Sequence, residues 1–214
     1  MSEKSRRAAD MFVCQDRARN WARQWEDRAF LVYQSEMTQA RELVQICILN
    51  QDGEVQLNTY VKPRQEIVER NFLNGHPTLF AYNAITNAMV ADAPTFQEIA
   101  LELRARLIGR SVLAYDSDAE AERLRLAVEG IRAEPIRAHW DSVKFHCSLF
   151  HQDYTDAYAD FRRYAPASFA SDLTIDGALV TEMRAHEALA DARATLTLVR
   201  VLAAPAPKKE EAPS

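Results

Sequence analysis

Hydrophobic and polar positions over the first 61 residues change from a helical period to a strand-like one. Residues 7–27 contain neither Gly nor Pro, and their apolar side chains recur every three or four positions, which predicts an amphipathic helix. Apolar or alternating runs follow at 29–33, 43–49 and 54–61, and Asn50-Gln51-Asp52-Gly53 between the last two is typical of a tight turn. This part of the chain is therefore predicted to form a helix followed by three antiparallel strands.

The rest of the chain alternates between helical and strand patterns. Thr95 and Glu98 stand at the positions of a capping box, which predicts the start of a helix. Three strands followed by alternating helices and strands predict a mixed α/β sheet flanked by helices. The predicted elements are loops and short helices over 64–96, a helix over 95–108, a strand over 111–115, an acidic helix over 118–130, a short strand within 140–145 and a helix over most of 175–203.

Composition narrows the class of protein. The chain has 214 residues, of which 48% are hydrophobic and 27% charged, and these values are typical of one soluble globular domain. Its formal net charge of −5 argues against broad nucleic-acid binding, so a nucleic-acid site has to be a local patch. No apolar run approaches the ~18 residues of a membrane span, no signal peptide opens the chain, and the three cysteines are widely spaced. We therefore expect a cytoplasmic protein with reduced thiols, no membrane partner and a disordered tail over 204–214.

Acidic side chains follow two of the predicted strands, and a further one lies in the last helix. Sites in open α/β sheets collect at strand ends, and carboxylate oxygens are the ligands that Mg²⁺ and Mn²⁺ prefer. His186 stands five residues before the helical carboxylate and can accept a proton near neutral pH. These residue types predict a metal-dependent hydrolytic site. The acidic candidates are Glu36 after the first strand, Asp116, Asp118 and Glu120 after the fourth, and Asp191 in the last helix.

Four segments, in their order along the chain, resemble motifs of the DnaQ-like family of 3′–5′ exonucleases, the DEDDh branch of the ribonuclease-H-like fold. Leu31 to Thr38 resembles the family's apolar strand that leads to Asp-x-Glu-Thr-Thr. Tyr82 to Phe96 is similar to its Ile-His-Gly-Ile-Thr segment and the Ala-Pro-x-Phe that follows, and Val112 to Glu120 resembles the strand that ends in Asn-x-x-Phe-Asp. The motif His-x-Ala-x-x-Asp-Ala is matched in full by His186, Ala188, Asp191 and Ala192.

The resemblance implies a ribonuclease-H-like fold, in which an α/β mixed five-stranded sheet has three antiparallel strands first and flanking helices. It assigns residues 29–203 to the DnaQ-like exonuclease domain and residues 1–28 to an N-terminal helical extension. The implied site residues are Glu36 and Asp191 for a first divalent ion, Mg²⁺ or Mn²⁺, Glu120 for a second ion and His186 as general base. The implied substrate is the 3′ end of a single-stranded DNA or RNA, bordered by Thr38, Asn83 and Asp116.

The first motif departs from the family where a metal-bridging Asp is expected, because Gln34 occupies that position. A neutral amide offers a ligand oxygen but no charge, and two divalent ions about 3.5–4 Å apart repel strongly without anionic bridging. In the other motifs Glu120 is one methylene longer than the expected Asp, and Asn83-Ala84 replaces His-Gly. We therefore expect one weak metal site or none, to which Gln34 brings an oxygen without charge.

The sequence predicts a nucleic-acid-binding protein of this family with weakened or lost phosphodiester hydrolysis. One alternative is an active two-metal 3′–5′ exonuclease, and the other is a protein-interaction module on a nuclease fold, with a homodimer or a protein partner left open. Arg-rich stretches over 104–137 either contact phosphate or form solvated helix faces paired with Glu. Aromatic residues over 154–164 either pack in the core or a dimer contact, or stack on bases.

Overall fold

A computed structural model of the protein describes residues 3–151 and 187–205. Four of the sequence predictions lie wholly or mainly outside these ranges. They are the general base His186, the aromatic residues over 154–164, the first part of the helix over 175–203 and most of the tail over 204–214.

The described residues form helices and strands in the predicted order. The first half contains α1 (Glu3–Arg23), β1 (Leu31–Met37), β2 (Leu43–Asn50), β3 (Val55–Tyr60), a short hairpin of β4 (Phe72–Leu73) and β5 (His76–Pro77), α2 (Phe80–Asn83) and α3 (Asn87–Val90). The second half contains α4 (Phe96–Leu107), β6 (Ser111–Ala114), α5 (Ser117–Gly130), β7 (His139–Ser142), α6 (Val143–His151) and α7 (Ala188–Ala203). No helix in the described part of the chain is both long and apolar enough to cross a membrane.

A mixed five-stranded sheet with the order β3-β2-β1-β6-β7 forms the centre of the fold. The first three strands pair antiparallel, and β6 joins β1 in parallel and is followed by β7, also parallel. Residues 43–49 of β2 are all buried, because helices cover both faces of the sheet. The predicted ribonuclease-H-like sheet with three antiparallel strands first is confirmed.

Alternate residues of the central strands fill two cores on opposite faces of the sheet. Val32 and Leu49 face one core with apolar residues of α1, α6 and α7. Tyr33 and Ile46 face the other core with residues of α4 and α5. The capping box that starts α4 is also confirmed, because the Thr95 hydroxyl accepts from the backbone of Glu98 and the Glu98 carboxylate accepts from the backbone of Thr95.

The structure differs from the sequence predictions at several places, and helix α1 spans Glu3–Arg23 rather than residues 7–27. Strand β1 continues to Met37, so Glu36 lies inside the strand rather than after it, because β2 extends far enough to pair Glu36 with Gln45. The prediction of a strand within 140–145 was wrong at its end, where α6 begins at Val143 after the Ser142 hydroxyl accepts a hydrogen bond from the Phe145 N–H. The β4–β5 hairpin lies in a stretch predicted to be loops and short helices.

Candidate active site

Gln34 and Glu36 are two residues apart on β1 and therefore lie on the same face of the sheet, the face that α7 covers. The Gln34 amide nitrogen Nε2 donates a hydrogen bond of 3.0 Å to Thr195 Oγ1 on α7. The Thr195 hydroxyl donates in turn to the backbone carbonyl of Asp191 at 2.7 Å. Because the only hydroxyl proton of Thr195 is used in this way, Thr195 can only accept from Gln34, which fixes which end of the amide faces it.

Asp191 lies in the first turn of α7 and is buried. The start of this helix is held to the sheet by a hydrogen bond of 3.1 Å from the Ala188 N–H to Gln45 Oε1 on β2. A carboxylate in the first turn of a helix is stabilised by the helix dipole. The Asp191 carboxylate lies close enough to Glu36 on β1 for the two charges to interact.

The Glu36 carboxyl is buried and lies near the carboxylate of Asp191. Burial raises its pKa to about 8, and the charge of Asp191 adds to the rise. The Arg123 guanidinium and a hydrogen bond with Asn83 oppose the rise only in part. A cation bound between two such carboxylates would compensate their mutual repulsion.

Glu120, in the first turn of α5, reaches the same strand from the other side of the sheet and is buried. Its Oε1 accepts a hydrogen bond of 2.7 Å from Arg123 Nη1, and its Oε2 accepts from the Ser35 hydroxyl. Burial raises the pKa of the Glu120 carboxyl to about 7, although Arg123 and Ser35 both act to lower it. Both carboxylate oxygens of Glu120 are therefore engaged within the protein.

The three residues that the resemblance assigned to the substrate lie at the edge of this cluster and are engaged in local structure. The Asn83 amide donates to the Met37 carbonyl at 3.1 Å and interacts with Glu36. The Thr38 hydroxyl accepts from the Glu42 N–H in the β1–β2 turn at 3.2 Å. Asp116 caps α5 and accepts from Lys144 Nζ at 2.8 Å. Asp118, the other acidic candidate, is exposed in the first turn of α5.

Sequence reasoning missed the partners that hold these residues, Ser35, Arg123 and Thr195. Arg123 stands three positions after Glu120 and Thr195 four after Asp191, and such spacings put side chains on one helix face. That signal was present in the sequence, but the same spacing is common on exposed helices. Arg106 and Arg125 illustrate this, because they pair with Glu102 and Glu122 on exposed helix faces at 2.7 Å each.

The donor set fits one divalent cation better than two. Mg²⁺ is commonly bound by one or two carboxylates together with water and substrate phosphates, and Glu36 with Asp191 offers such a pair. A two-ion centre needs more free anionic oxygen than the cluster has, because Gln34 is neutral and Glu120 is engaged with Arg123. Within residues 3–151 and 187–205, no three His, Cys, Asp or Glu side chains are close enough together to hold a metal ion between them.

The sequence and the fold of this chain were compared with those of known proteins. No family model matches the chain. It is 25% identical over 191 residues to the Uncharacterized exonuclease CP81 of Escherichia phage 186, an alignment that covers 87% of this chain and 92% of that protein.

Solved structures of 3′-exonucleases have a similar fold. The nuclease domain of 3′hExo, described as a DEDDh family member bound to rAMP, is 15% identical with a TM-score of 0.55 over 81% of this chain and 91% of that chain. A 3′-exonuclease in a structure of histone mRNA stem-loop recognition gives 15% identity and a TM-score of 0.54, and covers 81% of each chain. A full-length 3′-exonuclease is 16% identical in sequence, with a TM-score of 0.57. The match covers 81% of this chain and 60% of that protein. The strand order and these similarities show that this chain has the DnaQ-like, ribonuclease-H-like fold of the DEDDh 3′-exonucleases.

Proposed function

We propose that this protein binds the 3′ end of a single-stranded nucleic acid at the cluster of Gln34, Glu36, Glu120 and Asp191, with hydrolysis of the phosphodiester weakened or lost. The observation that carries the proposal is the hydrogen bond from Gln34 Nε2 to Thr195 Oγ1. An aspartate at this position would add a negative charge to the cluster, whereas Gln34 is neutral and its amide nitrogen donates to a residue inside the protein. The cluster is then short of the charge that two divalent ions require.

Each residue of the cluster has a distinct part in this proposal. Glu36 and Asp191 would hold one divalent cation, Mg²⁺ or Mn²⁺, which would supply Lewis-acid stabilisation of negative charge on a phosphate oxygen. Asn83 keeps Glu36 in place through its own contact with the Met37 carbonyl. His186, whose role rests on the sequence motif, would accept a proton from water beside Asp191.

The nature of the ligand is supported by the proteins that share the fold. One of them was solved with rAMP bound, and another in a structure that concerns recognition of the 3′ end of an RNA stem-loop. A 3′-terminal nucleotide offers a phosphate group to a cation and a ribose or deoxyribose to the cleft. Both RNA and DNA therefore remain candidate ligands, and the experiment below includes both.

A second candidate function is active 3′–5′ exonuclease activity. The electrostatic repulsion between the Glu36 and Asp191 carboxylates favours this activity, because such a pair lowers the stability of the fold and is typical of functional sites. The phage relative also carries the name of an exonuclease. In this case the Gln34 carbonyl oxygen would serve as a neutral ligand, and the residues around a bound cation would carry less negative charge than with an aspartate at position 34.

The two candidates are separated by one experiment on single strands. The protein is mixed with 5′-labelled DNA or RNA and Mn²⁺, and both binding by fluorescence anisotropy and shortening on a gel are recorded. We expect binding that weakens when the 3′ hydroxyl is replaced by a phosphate, with little shortening. Asp191→Asn is expected to weaken binding, and Asp118→Asn, which changes an exposed carboxylate of α5, to leave it unchanged. Rapid shortening from the 3′ end that Asp191→Asn abolishes would establish the active enzyme instead, and a strand left unbound would refute both.

A further inference from the structure

Arg123 links α5 to the strand that carries the candidate active site. Its Nη1 donates to Glu120 Oε1 at 2.7 Å and to the backbone carbonyl of Ser35 at 2.9 Å. The Glu120 side chain is only 5% exposed, whereas that of Arg123 is 31% exposed, so the guanidinium covers the carboxylate from the solvent side. The Ser35 hydroxyl donates to the second oxygen of Glu120. Strand β1 and helix α5 thus enclose the carboxylate from two directions.

This ion pair differs from the others on the same helix. Arg125, two residues further on, also binds two carboxylates, those of Glu122 and Glu129, but all three side chains are at least half exposed. Exposed pairs of this kind contribute little to stability and exchange freely with water. A buried carboxylate, in contrast, requires a partner, and removal of that partner leaves an uncompensated charge. Arg123 is therefore the compensating charge for Glu120 rather than one more surface pair.

The ion pair of Arg123 with Glu120 affects the formal charge of the candidate active site. Glu36, Glu120 and Asp191 bring three formal negative charges, and Arg123 cancels one of them. The Glu36 and Asp191 carboxylates bring the other two formal charges of the cluster, which one divalent cation would balance. Gln34 adds none. A second divalent cation would make the cluster positive and would have to displace the guanidinium from Glu120.

We propose that Arg123 is a built-in cation that takes the place of a metal ion at Glu120, so that the cluster binds a single divalent cation through Glu36 and Asp191 and not through Glu120. This proposal rests on the metal site of the proposed function. It goes beyond that function because it assigns a role to Arg123 and withdraws Glu120 from the set of metal ligands. Arg123 is a positioning residue in this arrangement, since it acts through Glu120 and Ser35 on strand β1.

The test is calorimetric titration of the purified protein with Mn²⁺, which measures stoichiometry and affinity without reference to activity. The wild-type protein is expected to bind one equivalent. Glu120→Gln keeps the size of the side chain and removes its charge, and it is expected to change the dissociation constant by less than about threefold, whereas Glu36→Gln should weaken binding by at least about tenfold. Arg123→Gln frees the Glu120 carboxylate and should allow a second equivalent to bind. Arg125→Gln, on the same helix, is the matched control and should bind like the wild type.

Each of the other results overturns the proposal. A tenfold loss of affinity in Glu120→Gln would make Glu120 a metal ligand, and this variant answers the question even if Arg123→Gln fails to fold. A folded Arg123→Gln that still binds one equivalent would show that the guanidinium does not stand in for an ion. Two equivalents bound by the wild-type protein would refute the proposal and leave the proposed function intact, whereas no binding of Mn²⁺ would refute it together with the metal site.

Discussion

A neutral amide at position 34 changes the charge of the cluster without changing the place of the residue in the sheet. Gln34 pairs with Cys47 across β1 and β2, and its side chain ends at Thr195 on α7. Thr195 holds the Asp191 carbonyl at the same time, so the amide also ties the strand to the first turn of the helix. The residue is therefore well suited to a structural contact and poorly suited to binding a cation.

Restoring the charge at this position is expected to strengthen metal binding. Gln34→Asp adds a carboxylate beside Glu36 and Asp191, and we expect the affinity for Mn²⁺ to rise about tenfold or more, since changes at ligands and their partners typically alter metal affinity 10- to 100-fold. Shortening of a labelled strand should increase in parallel. Gln34→Asn is the control, because it also loses the reach to Thr195 and adds no charge. Equal affinity in the two variants would mean that charge at position 34 is not what limits the site.

Glu36 should destabilise the metal-free protein at alkaline pH. Its pKa is raised to about 8, above the value of the unfolded chain, so the folded protein keeps a proton that the unfolded chain releases from about pH 4.5 upward. The stability associated with this proton is fully present at low pH and is lost as the pH rises through 8.

Replacement of Glu36 by Gln removes this dependence. In EDTA at pH 9, Glu36→Gln is expected to raise the free energy of unfolding by about 2 kcal/mol in urea denaturation, with no gain at pH 4.5. Glu102→Gln, which alters an exposed carboxylate paired with Arg106, should change it little at either pH. A gain for Glu36→Gln that is the same at both pH values would contradict the electrostatic origin.

At the scale of elements, α1 is joined to the domain through a polar contact inside an apolar interface. The Trp21 indole N–H donates to Asp141 Oδ2 on β7 at 2.7 Å. The indole ring also stacks on His146 of α6, with ring centroids 3.8 Å apart and planes 7° apart. Trp21, one of the apolar positions that predicted an amphipathic helix, therefore packs on the domain and adds a directional hydrogen bond to the end of the sheet.

Loss of the indole N–H should weaken this attachment. Trp21→Phe keeps an aromatic ring and removes the indole donor from Oδ2 of the half-buried Asp141 carboxylate, which we expect to lower the free energy of unfolding by about 1–3 kcal/mol. Val13→Ala, at a half-exposed position of the same helix, should change it by less than about 0.5 kcal/mol. Chemical denaturation followed by far-UV circular dichroism measures the free energy of unfolding of both variants. Equal effects of the two substitutions would show that α1 contributes through apolar contact alone.

At the scale of the whole molecule, the sheet topology assembles the site from distant parts of the chain. Parallel pairing of β6 with β1 carries the start of α5 to the strand, and α7 crosses the opposite face. A cation bound between β1 and α7 would therefore join two elements that are about 150 residues apart in the sequence. Metal binding should be visible as stabilisation of the entire fold.

We expect Mn²⁺ to raise the melting temperature. At about 100 times the dissociation constant a ligand adds about 2.7 kcal/mol, which corresponds to about 5–10 °C for a domain of this size. Asp191→Asn should abolish the shift measured by differential scanning fluorimetry, and Asp118→Asn should retain it. A shift of equal size in both variants would place the cation elsewhere on the protein.

The sequence predicted local features that depend on neighbouring residues. The Thr95–Glu98 capping box, the three antiparallel strands and the buried β6 follow from hydrophobic period and from side chains three positions apart, and all are confirmed. The end of β7 was missed because Val143 to Phe145 suits a strand as well as a helix, and only the contacts of Ser142 and Lys144 with the end of β6 decide between them.

What the sequence determined by itself is the set of chemical groups available: Glu36, Glu120, Asp191 and a neutral Gln34, in an order that indicates the fold. The tertiary structure decided which of these groups meet and which are already engaged. Gln34 and Thr195 are 161 residues apart and Ser35 and Glu120 are 85 apart, so no local periodicity relates them. Their contacts follow from strand order and helix placement, which depend on burial of the two cores as a whole. The sequence determines which residues carry a carboxylate, whereas the folded structure determines which neighbours contact it and therefore whether it can bind a cation.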